Sequence, residues 1–137
     1  MEEKNERIEK KKDFTFRGKS MEELKSLDVR ETSKYLTSRS RRTVLRQFSD
    51  IENFISRCKN KIEKNKQIKT HKRNLVIVPQ MVGMRIGVHN GRTFMLTEIT
   101  GEMIGHRLGE FAPSRGRIQH GSAGVGATKG SKSKAKK

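Results

Sequence analysis

The sequence predicts an α+β fold in which a helical N-terminal half packs beside a small three-stranded sheet with one short helix, with extended basic termini at both ends. Two observations favour this class. Eleven of the twelve glycines lie at or after Gly83, so helix formers dominate the first half and turns punctuate the second. Apolar side chains also change their period near Asn65, from helical spacing to short runs between turn residues.

The chain divides into four segments where its composition changes. Residues 1–19 are expected to form an extended or disordered arm, residues 20–66 a basic helical region, residues 67–115 an α+β core and residues 116–137 a flexible basic tail of Gly, Ser, Ala and Lys. Hydrophobic residues make up 31% of the 137, which is enough apolar material for one small core.

Four helices are predicted between residues 20 and 66. Ser20-Met21-Glu22-Glu23 is a capping box, whose side chains would satisfy the first unpaired backbone N–H groups of a helix. Further helices are expected over residues 28–36, over residues 38–48 and from Ser49 or Asp50 onward. The last two carry apolar stripes and are expected to form a helical hairpin with a basic exterior; the stripes comprise Val44, Leu45 and Phe48, and then Ile51, Phe54, Ile55, Cys58 and Ile62.

Three strands are predicted in the second half. The apolar run Leu75-Val76-Ile77-Val78 ends at Pro79, which cannot donate a ladder hydrogen bond, and is expected to form the first strand. Residues 85–89 and 92–98 are expected to form the second and third. Asn90-Gly91 between them is the dipeptide that most easily supplies the positive φ values of a two-residue hairpin turn. Thr100 is expected to cap a short helix over residues 102–104.

The charge balance points to a polyanionic partner. Lys and Arg outnumber Asp and Glu by 32 to 15, which gives a formal net charge of +17. The excess is uneven, because residues 1–33 carry none of it, residues 34–73 carry +10 and residues 74–137 carry +7. This positive excess is spread too widely along the chain to belong to a single binding groove.

Membrane and export signals are missing from the sequence. The longest apolar run has four residues, whereas roughly 20 are needed to cross a bilayer, and the N-terminal dozen lack the apolar stretch of a signal peptide. The lone Cys58 cannot form an internal disulfide, which fits a reducing compartment. We therefore expect a cytoplasmic protein with no membrane partner.

Neither an enzyme, a metal site nor a cofactor site is expected. Zinc ligands usually occur as close pairs, whereas the four histidines are 18, 17 and 14 residues apart and have no Cys pair nearby: His71, His89, His106 and His120. Cys58 lies on an apolar stripe and is interpreted as a small core residue rather than a nucleophile. The Gly121–Gly126 spacing lacks the Lys-Ser/Thr that a phosphate loop requires.

Basic residues are the remaining candidates for a binding site. Arg39, Arg41 and Arg42 lie within two turns of one predicted helix, and one-sided charge of this kind favours phosphate neutralisation over a merely solvated face. Polar and basic side chains also flank the predicted strands: Lys69, His71, Lys72, Arg73, Arg85, His89, Asn90 and Arg92. Phe94 and Phe111 are the only aromatic residues of the second half apart from histidine, so recognition by shape and backbone fits better than base stacking.

A nearly continuous block over residues 68–115 carries specific motifs. It contains Val82-Gly83, then Val88-His89-Asn90-Gly91-Arg92, and then Met103-Ile104-Gly105-His106-Arg107-Leu108-Gly109-Glu110-Phe111-Ala112-Pro113-Ser114-Arg115. This block resembles the S-nineteen family of small-subunit ribosomal proteins. Phe14-Thr15-Phe16-Arg17-Gly18 and Gly124-Val125-Gly126-Ala127-Thr128 resemble the flanks of its archaeal and eukaryotic branch, the eukaryotic S-fifteen type.

The resemblance implies a structural ribosomal protein. Such a protein would bind ribosomal RNA in the small-subunit head, contact the S-thirteen protein, reach toward the decoding-site tRNA with its tail, and form no homo-oligomer. By motif position the resemblance implies RNA contacts at Lys69, His71, Lys72, Arg73, His89, Asn90, Arg92, His106, Arg107, Ser114, Arg115 and Arg117. The alternative is a free basic protein that binds nucleic acids without sequence preference, of the chromatin or RNA-chaperone type.

Overall fold

A computed structural model gives the structure of residues 14–117. The sequence expectations for residues 1–13 and 118–137, including His120, lie outside the described residues. The elements confirm the α+β class. In chain order they are β1 (Thr15–Phe16), β2 (Lys19–Ser20), α1 (Met21–Ser26), α2 (Val29–Thr32), a 3₁₀ turn (Ser33–Tyr35), α3 (Ser38–Arg46), α4 (Phe48–Glu63), β3 (Ile68–Thr70), a 3₁₀ turn (Pro79–Met81), β4 (Arg85–His89), β5 (Phe94–Glu98) and two 3₁₀ turns (Gly101–Met103 and Leu108–Phe111).

The chain before α1 forms a small hairpin, where the sequence predicts an extended arm. Strands β1 and β2 pair antiparallel, with Thr15 opposite Ser20. Arg17 (φ 49°) and Gly18 (φ 79°) make the turn, and the left-handed backbone at Gly18 is one that glycine adopts without strain. Phe14 packs so closely on Gly101 that a Cβ there would lie 2.5 Å from the ring. The hairpin is therefore tied to the C-terminal half.

The four helices lie near the predicted ranges, but α2 is α-helical only over Val29–Thr32, and Phe48 begins α4 instead of ending α3. The Glu23 N–H donates to Ser20 Oγ at 3.3 Å, which confirms the N-cap of α1. Val44 and the first four apolar residues of the α4 stripe are buried. Leu45 (51% exposed) and Ile62 (47% exposed) are not, so the prediction that they join the core is wrong. Leu45 is exposed because the inner face of α3 runs through Val44 and Ser40, and the Ser40 hydroxyl donates to the Gly105 carbonyl. Ile62 is exposed because it borders an open groove beside Leu96.

The sheet has three strands in the order β3-β4-β5, but the predicted first strand is wrong. Strand β3 pairs parallel with β4, and β4 pairs antiparallel with β5. Residues 75–78 are buried and extended, yet they pair with residues 105–109 instead. The Ile77 N–H donates to the His106 carbonyl at 2.8 Å, and the Leu108 N–H donates to the Leu75 carbonyl at 3.0 Å. An apolar run has to be buried, but its backbone can be satisfied outside a sheet.

Two further details differ from the sequence prediction. The third strand begins at Phe94 rather than residue 92, and the short helix over residues 102–104 is a 3₁₀ turn without a side-chain cap from Thr100.

The β4–β5 turn is one residue later than predicted. The Asn90 N–H donates to the Thr93 carbonyl, so Gly91 and Arg92 are the central residues. Gly91 has φ 103° and Asn90 has a negative φ. Asn90 acts through its side chain, because Oδ1 accepts the N–H groups of Arg92 and Thr93 at 2.9 and 2.8 Å. This places Arg92 at the exposed tip.

A single buried core joins the two halves of the chain. It includes Val29 and Leu36, the buried residues of α3 and α4, residues 75–78, Ile86 and Val88 of β4, and Leu108. Within residues 14–117, no helix has the length and apolar character needed to cross a membrane.

Candidate nucleic-acid interface

The tip of the β4–β5 hairpin and the chain after the last 3₁₀ turn form one polar groove. Asn90, Arg92 and residues 113–117 line it. Arg92, Arg115 and Arg117 are exposed, and none of the three makes a salt bridge or a side-chain hydrogen bond to another residue within the described range. The lining includes the predicted Ser114 and no carboxylate. The structure thus brings together five predicted RNA contacts from two separate segments; we call this feature the tip groove.

Arg73 holds the two walls of the tip groove together. Its guanidinium donates to the His89 carbonyl, at the end of β4, and to the Gly109 carbonyl at 2.8 Å. The Gly109 N–H donates back to the Arg73 carbonyl at 2.9 Å. A Cβ at Gly109 would lie 3.0 Å from both Cβ and O of Arg73, so glycine is what permits this approach.

The three predicted arginines of α3 differ in what their guanidinium groups contact. Arg41 donates to the carbonyls of Ser33, Lys34 and Leu36 at 3.2, 3.0 and 3.3 Å, and thereby caps the preceding 3₁₀ turn. All three arginines are exposed, but only the guanidinium groups of Arg39 and Arg42 are free of hydrogen bonds and salt bridges to the described residues.

Lys72 is engaged with a carboxylate. Its Nζ lies 2.7 Å from Asp50 Oδ1, at the start of α4. The hydrogen bond from Lys72 and the positive charge of its ammonium lower the pKa of Asp50 below its ordinary value of 3.8. Arg85 faces Glu98 across β4 and β5 at 3.7 Å, with both side chains exposed. Such exposed pairs are readily exchanged for other partners.

His106 and Arg107 lie at the last 3₁₀ turn, and Glu110 contacts both. His106 Nδ1 lies 2.6 Å from Glu110 Oε2, and the backbone N–H of Arg107 donates to Glu110 Oε1 at 3.3 Å. Glu110 thus caps the turn, while the Arg107 guanidinium has no partner among the described side chains. His71 and His89 lie side by side on the sheet, next to Phe94.

Two basic residues that the sequence analysis did not select border a groove between α4 and β3. Arg57 and Lys61 line it together with the predicted Lys69, His71 and Lys72. Both belong to the basic face of α4, and the run of basic residues on that face is the sequence feature from which they could have been predicted.

Within residues 14–117 the structure offers neither a reactive cysteine nor a cluster of metal ligands. Cys58 is buried, and burial raises the pKa of its thiol to about 11, so it is protonated at neutral pH. No group of three or more His, Cys, Asp or Glu side chains within the described part of the chain is placed to hold a metal ion.

Comparisons with known proteins agree with the block found in the sequence. The family described as "Ribosomal protein S19" matches residues 42–120, which is more than half of the chain. The chain is 41% identical over 127 residues to the "Small ribosomal subunit protein uS19" of Methanococcoides burtonii, covering 92% of this chain and 91% of that protein. It is 42% identical over 124 residues to the protein of the same description from Methanocella arvoryzae, covering 90% and 86%. The chain therefore belongs to the ribosomal protein S19 family, whose members are structural, non-enzymatic proteins of the small ribosomal subunit.

Proposed function

We propose that this protein binds ribosomal RNA in the head of the small subunit and acts there as a structural clamp. The observation that carries the proposal is the tip groove, where Arg92, Arg115 and Arg117 are exposed beside one another and no carboxylate lines the surface. Each guanidinium that neutralises a phosphate releases condensed counterions, and this release drives association. A polar groove without aromatic rings suits phosphates and 2′-hydroxyls.

The arginines of the proposed site divide into two groups with different tasks. Arg39, Arg42, Arg85, Arg92 and Arg107 present exposed cations, and we assign them to phosphate contacts together with Arg115 and Arg117. Arg41 and Arg73 donate to backbone carbonyls, so they are assigned to holding the contact segments in position. Asn90 shapes the hairpin tip in the same way.

Two neighbours are proposed from the family resemblance. They are the S-thirteen protein in the subunit head and the decoding-site tRNA. Residues 118–137 contain five lysines and no acidic residue, a composition that supports a tRNA neighbour for the tail. Deleting residues 121–137 should lower the tRNA affinity of small subunits and leave incorporation of the protein unchanged. Equal tRNA affinity for the two kinds of subunit would remove the tail from this role.

The experiment that tests the ribosomal role is co-sedimentation from cells. The tagged full chain should be recovered with small ribosomal subunits after a high-salt wash, because many contacts hold it in place. Recovery chiefly with genomic DNA would contradict the proposal and favour a chromatin-type protein. A matched variant in which Arg92, Arg115 and Arg117 are all Ala should wash off at lower salt.

A further inference from the structure

One face of the three-stranded sheet lies outside the core. The strand register aligns Lys69, Gly87 and Leu96, and places His89 opposite Phe94. Side chains alternate along a strand, so these residues share a face, and Ile68, Ile86 and Val88 occupy the buried face behind it. We call this surface the open face; it comprises Lys69, His71, Arg85, Gly87, His89, Phe94, Leu96 and Glu98.

Three rings meet on the open face. The ring centroids of His71 and His89 are 4.4 Å apart, those of His89 and Phe94 are 4.9 Å apart, and those of His71 and Phe94 are 5.1 Å apart. His71 is exposed, while His89 and Phe94 are half-buried. With Phe94 and Phe111 as the only phenylalanines of its second half, the sequence favours recognition by shape and backbone over base stacking. In the folded chain, His89 at the end of β4 and His71 directly after β3 add two further rings beside Phe94, so a stacking surface is present.

Gly87 keeps the centre of the open face flat. A Cβ at this position would lie 3.2 Å from the Ile68 carbonyl oxygen and 3.5 Å from both Lys69 Cγ and Phe94 Cβ. Without that atom, side chains from the two neighbouring strands approach each other across β4. Lys69 Nζ lies 5.5 Å from the centre of the Phe94 ring, within the range of a cation–π contact.

Positive charge surrounds the rings. Lys69 lies among them, and the adjoining groove between α4 and β3 adds Arg57 and Lys61. The carboxylate of the open face, Glu98, faces Arg85. A partner that suits this surface combines a flat apolar group with negative charge. An unpaired nucleotide has both in its base and its phosphate.

We propose that the open face binds an unpaired nucleotide of RNA. Its base stacks on the exposed face of His71, beside Phe94, and its phosphates reach Lys69 and the groove that Arg57 and Lys61 border. The inference rests on the proposed function and deepens it, because it assigns single-stranded RNA to the open face and leaves backbone contacts to the tip groove.

The test compares single-stranded with duplex RNA on the full chain. The probe is an unstructured RNA oligonucleotide with one 2-aminopurine, used alone and annealed to its complement. Loss of one stacking ring from His71→Ala should weaken single-strand binding about tenfold and reduce the quenching of 2-aminopurine. Duplex binding should stay the same. His71→Phe, which restores a ring, should recover both the affinity and the quenching.

A control on the same sheet separates stacking from loss of structure. Met95→Ala alters the neighbour of Phe94 on β5, which points away from the open face, and should bind both probes as wild type does. The proposal is overturned if His71→Ala binds the single strand as tightly as wild type, if His71→Phe behaves like His71→Ala, or if Met95→Ala loses as much affinity. The co-sedimentation experiment does not depend on His71. Failure of the ribosomal role and failure of nucleotide binding at the open face can therefore be told apart.

Discussion

Arg73 donates from one guanidinium to two backbone carbonyls, those of His89 and Gly109. Arg73→Ala would remove the side-chain donor from the His89 carbonyl and leave the Gly109 carbonyl only its 3.4 Å bond from the Ala112 N–H. We therefore expect the free energy of unfolding to fall by about 1–3 kcal/mol in urea titrations. Arg73→Lys keeps the charge without the planar fork and should recover only part of the loss. A wild-type midpoint for Arg73→Ala would show that the two bonds do not stabilise the fold.

The Asp50–Lys72 pair gives stability a small dependence on pH. Lys72 lowers the pKa of Asp50 in the folded state, so the pair stabilises the fold above the carboxyl's unfolded pKa near 4, and this contribution disappears as pH falls through the lower folded value. Wild type should therefore exceed Asp50→Asn in urea midpoint at pH 7, and the difference should vanish toward pH 2. Both side chains are about half exposed, which keeps the difference small. A constant difference across this range would contradict the assignment.

At the scale of elements, local signals predicted the helical half and failed where partners are distant. Ser20 and Glu23 mark the start of α1 from three residues apart. The apolar run at residues 75–78 predicts only that this segment is buried. Its hydrogen-bonding partner, residues 105–109, lies some 30 positions away, and no local sequence pattern identifies it. The prediction that Leu45 and Ile62 are buried was wrong for a related reason, since helical periodicity does not show where the surface that packs on the core ends.

Gly109 tests the contact between two such distant segments. A Cβ there would lie 3.0 Å from the backbone oxygen of Arg73, which cannot move aside without disturbing the Gly109 hydrogen bond. Gly109→Ala should lower the free energy of unfolding by about 1–3 kcal/mol. Gly116→Ala is the matched control, because a Cβ at Gly116 would meet nothing within 4 Å, and it should stay within about 0.5 kcal/mol of wild type. Equal stability of the two variants would remove the packing role from Gly109.

At the scale of the whole molecule, the sequence identified the basic residues but not their tasks. Arg92 and Arg115 are 23 positions apart, and only the fold shows that they line one groove. Arg41 and Arg42 are adjacent, yet the first caps a turn and the second faces outward. The sequence pattern does not distinguish the two roles, because an arginine that donates to a backbone carbonyl looks the same in the sequence as one that binds a phosphate.

The distribution of exposed cations explains why the net charge of +17 is not confined to one surface. The tip groove, the outer face of α3 and the groove between α4 and β3 each present basic side chains, and they lie on different elements of one small core. Under the proposed function, each of these basic surfaces faces a separate stretch of ribosomal RNA.

The most direct test of this account is the salt dependence of binding to small-subunit ribosomal RNA. With Arg92, Arg115 and Arg117 all changed to Ala, the slope of log K against log salt concentration should become shallower by about 2–3, roughly one counterion for each lost phosphate contact. Lys19→Ala, which removes a lysine already paired with Glu23 at 3.3 Å, should keep the wild-type slope. A triple variant with the wild-type slope would contradict the claim that the tip groove binds RNA phosphates.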